Sequence, residues 1–274
     1  MLVLDQVTAG YRRRSLRTGW NRTDAVREVD LQVDAGEIVA LVGESGCGKS
    51  TLARTVVGLH RPFSGQVRFD GADVHSLRGE ARRAYRRGVQ MIFQDPFLSL
   101  SPRLPVGRAI AEPLEIHRIG SRTSRRARVA ELLELVGLAG DLTDRLPRDL
   151  SGGQRQRVAI ARALAVEPRL LICDEPVTAL DVSVQATVLN LLRDLTESLG
   201  LACLFIAHDL AVVCQLADRV AVMHLGRIVE QAPTTTLIGC PRHPYTQALL
   251  AAIPQLDTDR PAAMSPPIPT RRNP

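Results

Sequence analysis

Short unbroken apolar runs alternate along this chain with stretches in which apolar residues recur every three or four positions. Ile38–Val42, Leu170–Cys173 and Leu201–Ala207 are runs of the first kind, short enough to be strands buried in a core. Leu2–Leu4, Val7–Tyr11, Leu31–Val33, Gly65–Gly71 and Val89–Gln94 read as further short strands. Of the second kind, Val129, Leu132, Leu133 and Val136 share one face of a helix closed by Gly137. Val188, Leu191, Leu192, Leu195 and Leu199 line another, capped by Gly200. Val158–Ala165 continues a helix that Pro168 ends, and Leu52–Val57 suits one that stops at Gly58. Strands alternating with helices imply a largely parallel sheet, interrupted from residue 97 to about 150 by a mostly helical insert. The polar, Arg-rich stretch between Tyr11 and Val26, which carries Trp20, reads as a surface loop, as does Asp141–Arg148. The tail from Gln231 is rich in Pro and Thr, and Pro266–Pro274 is expected to be disordered.

The sharpest chemical signal lies between the first buried run and its helix: Gly43-Glu44-Ser45-Gly46-Cys47-Gly48-Lys49-Ser50-Thr51. Strand, glycine-rich loop, Lys-Ser and helix together are the context of a phosphate-binding loop. Glycines let the backbone turn so that successive N–H groups face phosphate oxygens, and the helix start adds free N–H groups and a positive dipole end. Lys49 is placed for the β- and γ-phosphates, Ser50 for Mg²⁺ and Thr51 for the α-phosphate. A glycine turn with a lone lysine would explain neither flank. The chain is therefore read as binding a nucleoside triphosphate.

Composition narrows the class. With 274 residues there is room for one large α/β domain and a subdomain, or for two small domains. No apolar run approaches the roughly 20 residues that span a bilayer, and the first residues do not form a signal peptide, so a cytoplasmic chain is expected, which leaves docking on a membrane protein open. The net charge of +6 could suit nucleic acid or anionic lipid. Its arginines cluster at 12–14, 82–87 and 122–128 without interleaved aromatics, and a solvated face explains each cluster better than a base-stacking platform. The five cysteines show no paired metal-ligand spacing. Cys173 and Cys203 read as small core residues, whereas alkylation of Cys47 should block nucleotide binding.

Two more constellations carry chemistry. Leu170–Cys173 delivers Asp174 and Glu175 at its C-terminal end, where α/β sheets bind ligands. Asp174 is assigned to Mg²⁺ and Glu175 to orienting and polarising the attacking water. Leu150-Ser151-Gly152-Gly153-Gln154 opens a helix and could form a second anion site serving a nucleotide held elsewhere; a simple helix cap is the alternative.

In order and rough spacing, the phosphate loop, Gln94, Leu150–Gln154, Leu170–Glu175, Ala179-Leu180-Asp181 and His208 resemble an ABC-type ATPase domain over about residues 1–235. The resemblance implies a phosphate-loop NTPase fold with a RecA-like core, an antiparallel β subdomain and an inserted α-helical subdomain at about 97–155. It also implies a head-to-tail dimer with ATP between one copy's phosphate loop (Gly43, Glu44, Ser45, Gly46, Cys47, Gly48, Lys49, Ser50, Thr51) and the other's signature (Ser151, Gly152, Gly153, Gln154). By the same resemblance Tyr11 stacks on adenine, unless it is an ordinary strand tyrosine. Gln94 touches Mg²⁺ or the lytic water, His208 contacts the γ-phosphate, and Asp181 crosses the interface or caps the following helix. His60, His75, His117 and His224 match no motif.

Cys240–Pro254, with its His243-Pro244-Tyr245-Thr246 core, looks like the C-terminal segment of ATPases that energise oligopeptide, dipeptide and nickel importers. Residues 236–274 are assigned to that segment and its tail, with a helix from Tyr245 to Ile253 packing through Leu249, Leu250 and Ile253. Some relatives carry an iron–sulfur site beyond it; with no cysteine after Cys240, none is expected here. The resemblance implies ATP and Mg²⁺ as cofactors, a second ATPase subunit, two integral membrane permease subunits and an extracytoplasmic solute-binding protein as partners, and a place on the cytoplasmic face of the membrane. The Arg-rich insert and short tail suggest the second of two paired ATPases. No nucleic-acid partner is expected. A soluble ABC ATPase acting on DNA or ribosomes is the competing class, but neither long coiled coils nor a second ATPase unit interrupts the chain. A regulatory nucleotide binder without turnover is disfavoured by Glu175 and His208.

Overall fold

The computed structural model describes residues 1–15, 19–95 and 100–252. Its centre is a six-stranded sheet. In spatial order it runs β10 (Arg227–Pro233), β9 (Arg219–His224), β3 (Ile38–Val42), β8 (Ala202–Ala207), β7 (Leu170–Asp174) and β6 (Val89–Ile92). All neighbours are parallel except β10, which runs antiparallel to β9. β3, β7 and β8 are buried along their whole length, which is why they read as continuous apolar runs rather than alternating ones.

Alternation reappears as a division between two cores. Ile38, Ala40 and Val42 face a cluster shared with the helices, including Ile110, Leu132, Ile160 and Leu192. Val39 and Leu41 face a second cluster built from Leu2, Val29, Val67 and Leu52. That second core is closed by a four-stranded antiparallel sheet, β2 (Gly19–Val33), β1 (Leu2–Ser15), β4 (Ser64–Phe69) and β5 (Ala72–Asp73), and by α1 (Lys49–Val56).

The helical insert contains α3 (Val106–Ile116) and α4 (Arg122–Leu135), and α5 (Gly152–Leu164) leads from it back to β7. Ser121 caps α4 by accepting from the Ser124 N–H at 3.2 Å, and Gly137 ends it at φ +65°. α2 (Gly79–Gly88) precedes β6 and buries only Tyr85, so its arginines form a solvated face. α6 (Val182–Leu199) ends at Gly200, φ +60°. The short α7 (Leu210–Cys214) and α8 (Thr234–Gly239) flank the last two strands. α9 (Pro244–Ala251) rests Tyr245, Leu249 and Leu250 on the core; Ile253 and Pro266–Pro274 lie outside the described residues.

Two expectations are corrected. On either side of residues 16–18 the stretch between Tyr11 and Val26 is paired antiparallel strand rather than surface loop: β1 and β2 stay paired from Leu2–Val33 out to Ser15–Gly19. Arg12 pairs with Arg22, and both guanidiniums sit over the Phe63 ring, 5.3 and 4.3 Å from its centroid. Backbone pairing and cation–π contact hold this ribbon, so it carries no apolar alternation to read. The segment from Asp141 to Arg148 is likewise not free loop, because 3₁₀ turns form at Gly140–Asp144 and Pro147–Asp149. Cys173 and Cys203 are buried, as expected of core residues.

Candidate functional site

Four adjacent parallel strands, β3, β8, β7 and β6, bring their C-terminal ends to one edge of the sheet. The residues that follow them are the phosphate loop, His208, Glu175 (with Asp174 closing β7) and Gln94. Open α/β sheets bind ligands at such an edge, because every strand there terminates in a loop aimed the same way.

The loop can take its shape only with glycine at two positions. A Cβ on Gly43 would lie 2.1 Å from the Met223 carbonyl oxygen, and one on Gly48, at φ +114°, 2.2 Å from that of Ala25. Gly48 also occupies the N-cap of α1 and offers no side-chain acceptor, so the first N–H groups of that helix stay available to an anion. Lys49 is 4% exposed, and its Nζ donates to the carbonyls of Gly43 at 2.6 Å and Glu44 at 2.9 Å.

Ser50 Oγ donates to Asp174 Oδ1 at 3.1 Å. Burial pushes the Asp174 carboxyl up, partly offset by the Ser50 hydrogen bond and by the charges of Arg54 and Lys49, while Glu175 raises it further. Two hard oxygen donors, one a buried carboxylate, fit Mg²⁺. Among the described residues no cluster of three His, Cys, Asp or Glu could hold an ion alone. A cation here would therefore draw its other ligands from phosphates and water, as Mg²⁺ commonly does. Gln94, also assigned to the metal, bonds to Glu175 rather than to this pair.

Glu175 is the hub of the edge. Its Oε2 accepts from Gln94 Nε2 at 3.1 Å and Thr178 Oγ1 at 3.3 Å, and lies 3.4 Å from His208 Nδ1. Its Oε1 is 4.0 Å from Lys49 Nζ. The backbone reaches this position at φ +48°, tied down by the Glu175 N–H donating to the Ile206 carbonyl at 3.0 Å. A non-glycine residue held there costs about 1–3 kcal/mol, and such strain gathers at functional sites. Thr178 was given no role in the sequence, since nothing local shows that its hydroxyl turns back to Glu175.

Tyr11 is 40% exposed; its hydroxyl lies 3.0 Å from Thr51 Oγ1 and its ring meets the His60 ring edge-on at 5.4 Å. Cys47 is buried beside Lys49, its Sγ 4.0 Å from Nζ, and burial raises the thiol's pKa. Glu44, Ser45 and Gly46 complete the loop, Gly46 at φ +83°.

Ser151, Gly152, Gly153 and Gln154 stand apart, at the start of α5. Ser151 Oγ accepts from the Gln154 N–H at 3.2 Å, and Gln154 Oε1 accepts from the Ser151 N–H at 2.9 Å, a reciprocal capping box. Among the described residues no hydrogen bond or ion pair joins them to the phosphate loop of the same chain. Gly153 lets α5 approach α6: a Cβ there would lie 2.5 Å from Val184 Cγ1. Asp181 occupies the N-cap of α6, exposed, with no capping hydrogen bond from its side chain.

A phosphate loop beside a carboxylate hub, at the edge of a mainly parallel sheet, is the arrangement of a nucleotide-hydrolysing cassette. The family pattern for ABC transporter matches residues 26–178, and that for the oligopeptide/dipeptide transporter C-terminal region matches residues 229–273. The chain belongs to the ABC transporter family, as one of its ATPases, in the branch carrying that C-terminal region. It is 50% identical over 265 residues to a protein of Sinorhizobium fredii named "Probable peptide ABC transporter ATP-binding protein y4tS", covering 95% of this chain and 74% of the relative. It is 49% identical over 237 residues to the oligopeptide transport ATP-binding protein OppF of Bacillus subtilis, covering 86% and 78%. Among solved structures it resembles the ATP-binding cassette MJ0796, a dimer in a post-hydrolysis state with ADP and Pi. The TM-score is 0.75 at 32% identity, over 85% of this chain and 99% of that one.

Proposed function

We propose that this chain hydrolyses ATP to drive uptake of oligopeptides or dipeptides, with nickel the other cargo of the branch, through two separate permease subunits. A second ATPase copy completes each site, and an extracytoplasmic solute-binding protein delivers the cargo. The chain works at the cytoplasmic face of the membrane; among the described residues no helix is long and apolar enough to cross it. The observation that carries the reading is the Glu175 carboxylate, set among Gln94, His208 and Lys49 at one sheet edge.

The roles follow from chemistry. The phosphate loop from Gly43 to Thr51 binds the polyphosphate through backbone N–H groups and Lys49, and Tyr11 packs on the adenine. Ser50 and Asp174 would hold Mg²⁺, which would offset negative charge on the phosphate oxygens, and Gln94 would reach the ion or the lytic water only by leaving Glu175. Glu175 accepts the proton of the lytic water, and Gln94 and His208 hold the carboxylate and the γ-phosphate in line. Ser151–Gln154 of one copy faces the γ-phosphate held by the other, and Asp181 supports that junction.

The test is Glu175→Gln in the reconstituted transporter. ATP binding should persist while turnover falls about 10²–10⁴-fold, the usual worth of a positioned general base, and peptide uptake stops. Full turnover in the variant would remove Glu175 from its assigned role, and nickel uptake without peptide uptake by the parent transporter would change the cargo.

A further inference from the structure

The amide of Glu44, second residue of the phosphate loop, finds its hydrogen-bond acceptor 201 residues away. Its N–H donates to the Tyr245 hydroxyl oxygen at 3.1 Å. The same peptide plane carries the Gly43 carbonyl, which accepts from Lys49 Nζ at 2.6 Å. One planar peptide is thus held at both ends, by Lys49 on one side and by the C-terminal helix on the other. Because the peptide is rigid, turning its N–H away from Tyr245 swings its carbonyl away from Lys49. With glycine on its N-terminal side, that turn meets little backbone resistance unless something opposes it.

Tyr245 is well placed to oppose it, since its own anchors lie outside the loop. Its ring packs on His224, the last residue of β9, with centroids 3.9 Å apart. Its N–H donates to His243 Nδ1 at 3.2 Å at the start of α9. The N–H groups of Arg242 and His243 donate to the Glu230 carboxylate of β10 at 2.8 and 3.0 Å. Burial raises the phenol's pKa, so the hydroxyl keeps its proton at neutral pH. Its oxygen remains a steady acceptor for the Glu44 amide.

We infer that Tyr245 is a positioning residue for Lys49, acting through the Gly43–Glu44 peptide, so that the C-terminal segment forms part of the nucleotide-binding machinery. The inference rests on the reading that this loop binds ATP. With the peptide pinned, Lys49 is oriented before nucleotide arrives. Without the hydroxyl, nucleotide must do that ordering itself. The loss then falls on affinity, because the loaded loop is the same in both cases.

The experiment compares wild type, Tyr245→Phe and Tyr245→Ala in the assembled transporter. It measures MgATP affinity, KM and kcat, with hydrogen exchange at the Glu44 amide as an independent readout. Tyr245→Phe keeps the ring on His224 and removes only the acceptor. It should raise Kd and KM for ATP about 3–10-fold, the typical worth of one neutral hydrogen bond, leave kcat within about twofold, and speed exchange at Glu44. Tyr245→Ala should weaken binding at least as much. If Tyr245→Phe binds MgATP like wild type and only Tyr245→Ala is impaired, ring packing is what matters and the inference is overturned. A loss confined to kcat overturns it too. A wild type that fails to bind MgATP would sink the ATP reading and this inference with it, whereas equal affinities in wild type and Tyr245→Phe sink this inference alone.

Discussion

This chain begins two helices with glycine-rich segments and treats their N-termini in opposite ways. At α1 the cap is Gly48, with no side-chain acceptor, and the neighbouring Lys49 and Ser50 point to Gly43, Glu44 and Asp174. At α5 the cap is Ser151, whose hydroxyl is already engaged with the Gln154 amide while the Gln154 side chain returns the bond. The first helix start leaves its donors open for an anion; the second has met some of its own needs. Glycine serves a different purpose in each. In the loop it admits backbone close to backbone, at Ala25 and Met223, whereas Gly153 admits the Val184 side chain and so packs α5 on α6. Under the shared pocket proposed above, such a self-capped segment would meet phosphate only when a nucleotide is carried to it by another copy. Giving up the cap costs about 1 kcal/mol, little beside a charge-assisted bond to phosphate.

That contrast can be broken at either end. The largest effect is expected at the open helix. Lys49→Ala removes the buried ammonium and should weaken ATP binding about 10–100-fold, read by nucleotide titration of the isolated chain. At the capped helix, Ser151→Ala should leave that titration unchanged. It should cost about 1 kcal/mol of stability in thermal or denaturant unfolding and lower turnover of the assembled pair. Equal loss of ATP affinity in the isolated Ser151→Ala chain would erase the distinction between the two segments.

The smallest effect concerns Asp174, whose carboxyl burial holds above its ordinary value of 3.8. A raised acid contributes its full stability below that ordinary value and loses it as pH rises through the raised one. At neutral pH the nucleotide-free site therefore carries an unfavourable charge. Asp174→Asn keeps an acceptor for Ser50 without that charge. Its Tm without nucleotide should exceed that of the parent near pH 8, and the gap should close as pH falls towards the ordinary carboxylate range. A gap that does not change with pH would locate the difference elsewhere.

Legibility in the sequence followed the kind of interaction. Ile38–Val42, Leu170–Cys173 and Leu201–Ala207 could be read as strands because burial on both faces leaves an uninterrupted apolar run. β9, with the run Val220–Met223, went unread although it lies beside β3, since nothing local says where a strand inserts. The paired strands between Tyr11 and Val26 were misread because polar residues such as the exposed Arg12 and Arg22 hide the pairing that holds them. α3 escaped notice as well, with Pro113 inside it. Glu175 was picked out as a carboxylate at the end of a buried strand, and Gln94 and His208 by resemblance to a family; that one carboxylate oxygen meets both partners was not visible in any of their flanks.

What the sequence determined by itself was the phosphate loop and the existence of a mainly parallel sheet. The groups assigned to the polyphosphate, consecutive N–H groups, successive glycines and a lysine, all belong to one short segment, so contiguity in the chain already fixes contiguity in space. Tertiary structure alone decided that β6, β7 and β8 end beside that loop, that Glu175 sits at φ +48° under the Ile206 carbonyl, and that Tyr245 reaches Glu44. Those contacts join residues far apart in the chain. Their geometry is set by strand order and by the packing of the last helix, which no local pattern of side chains encodes.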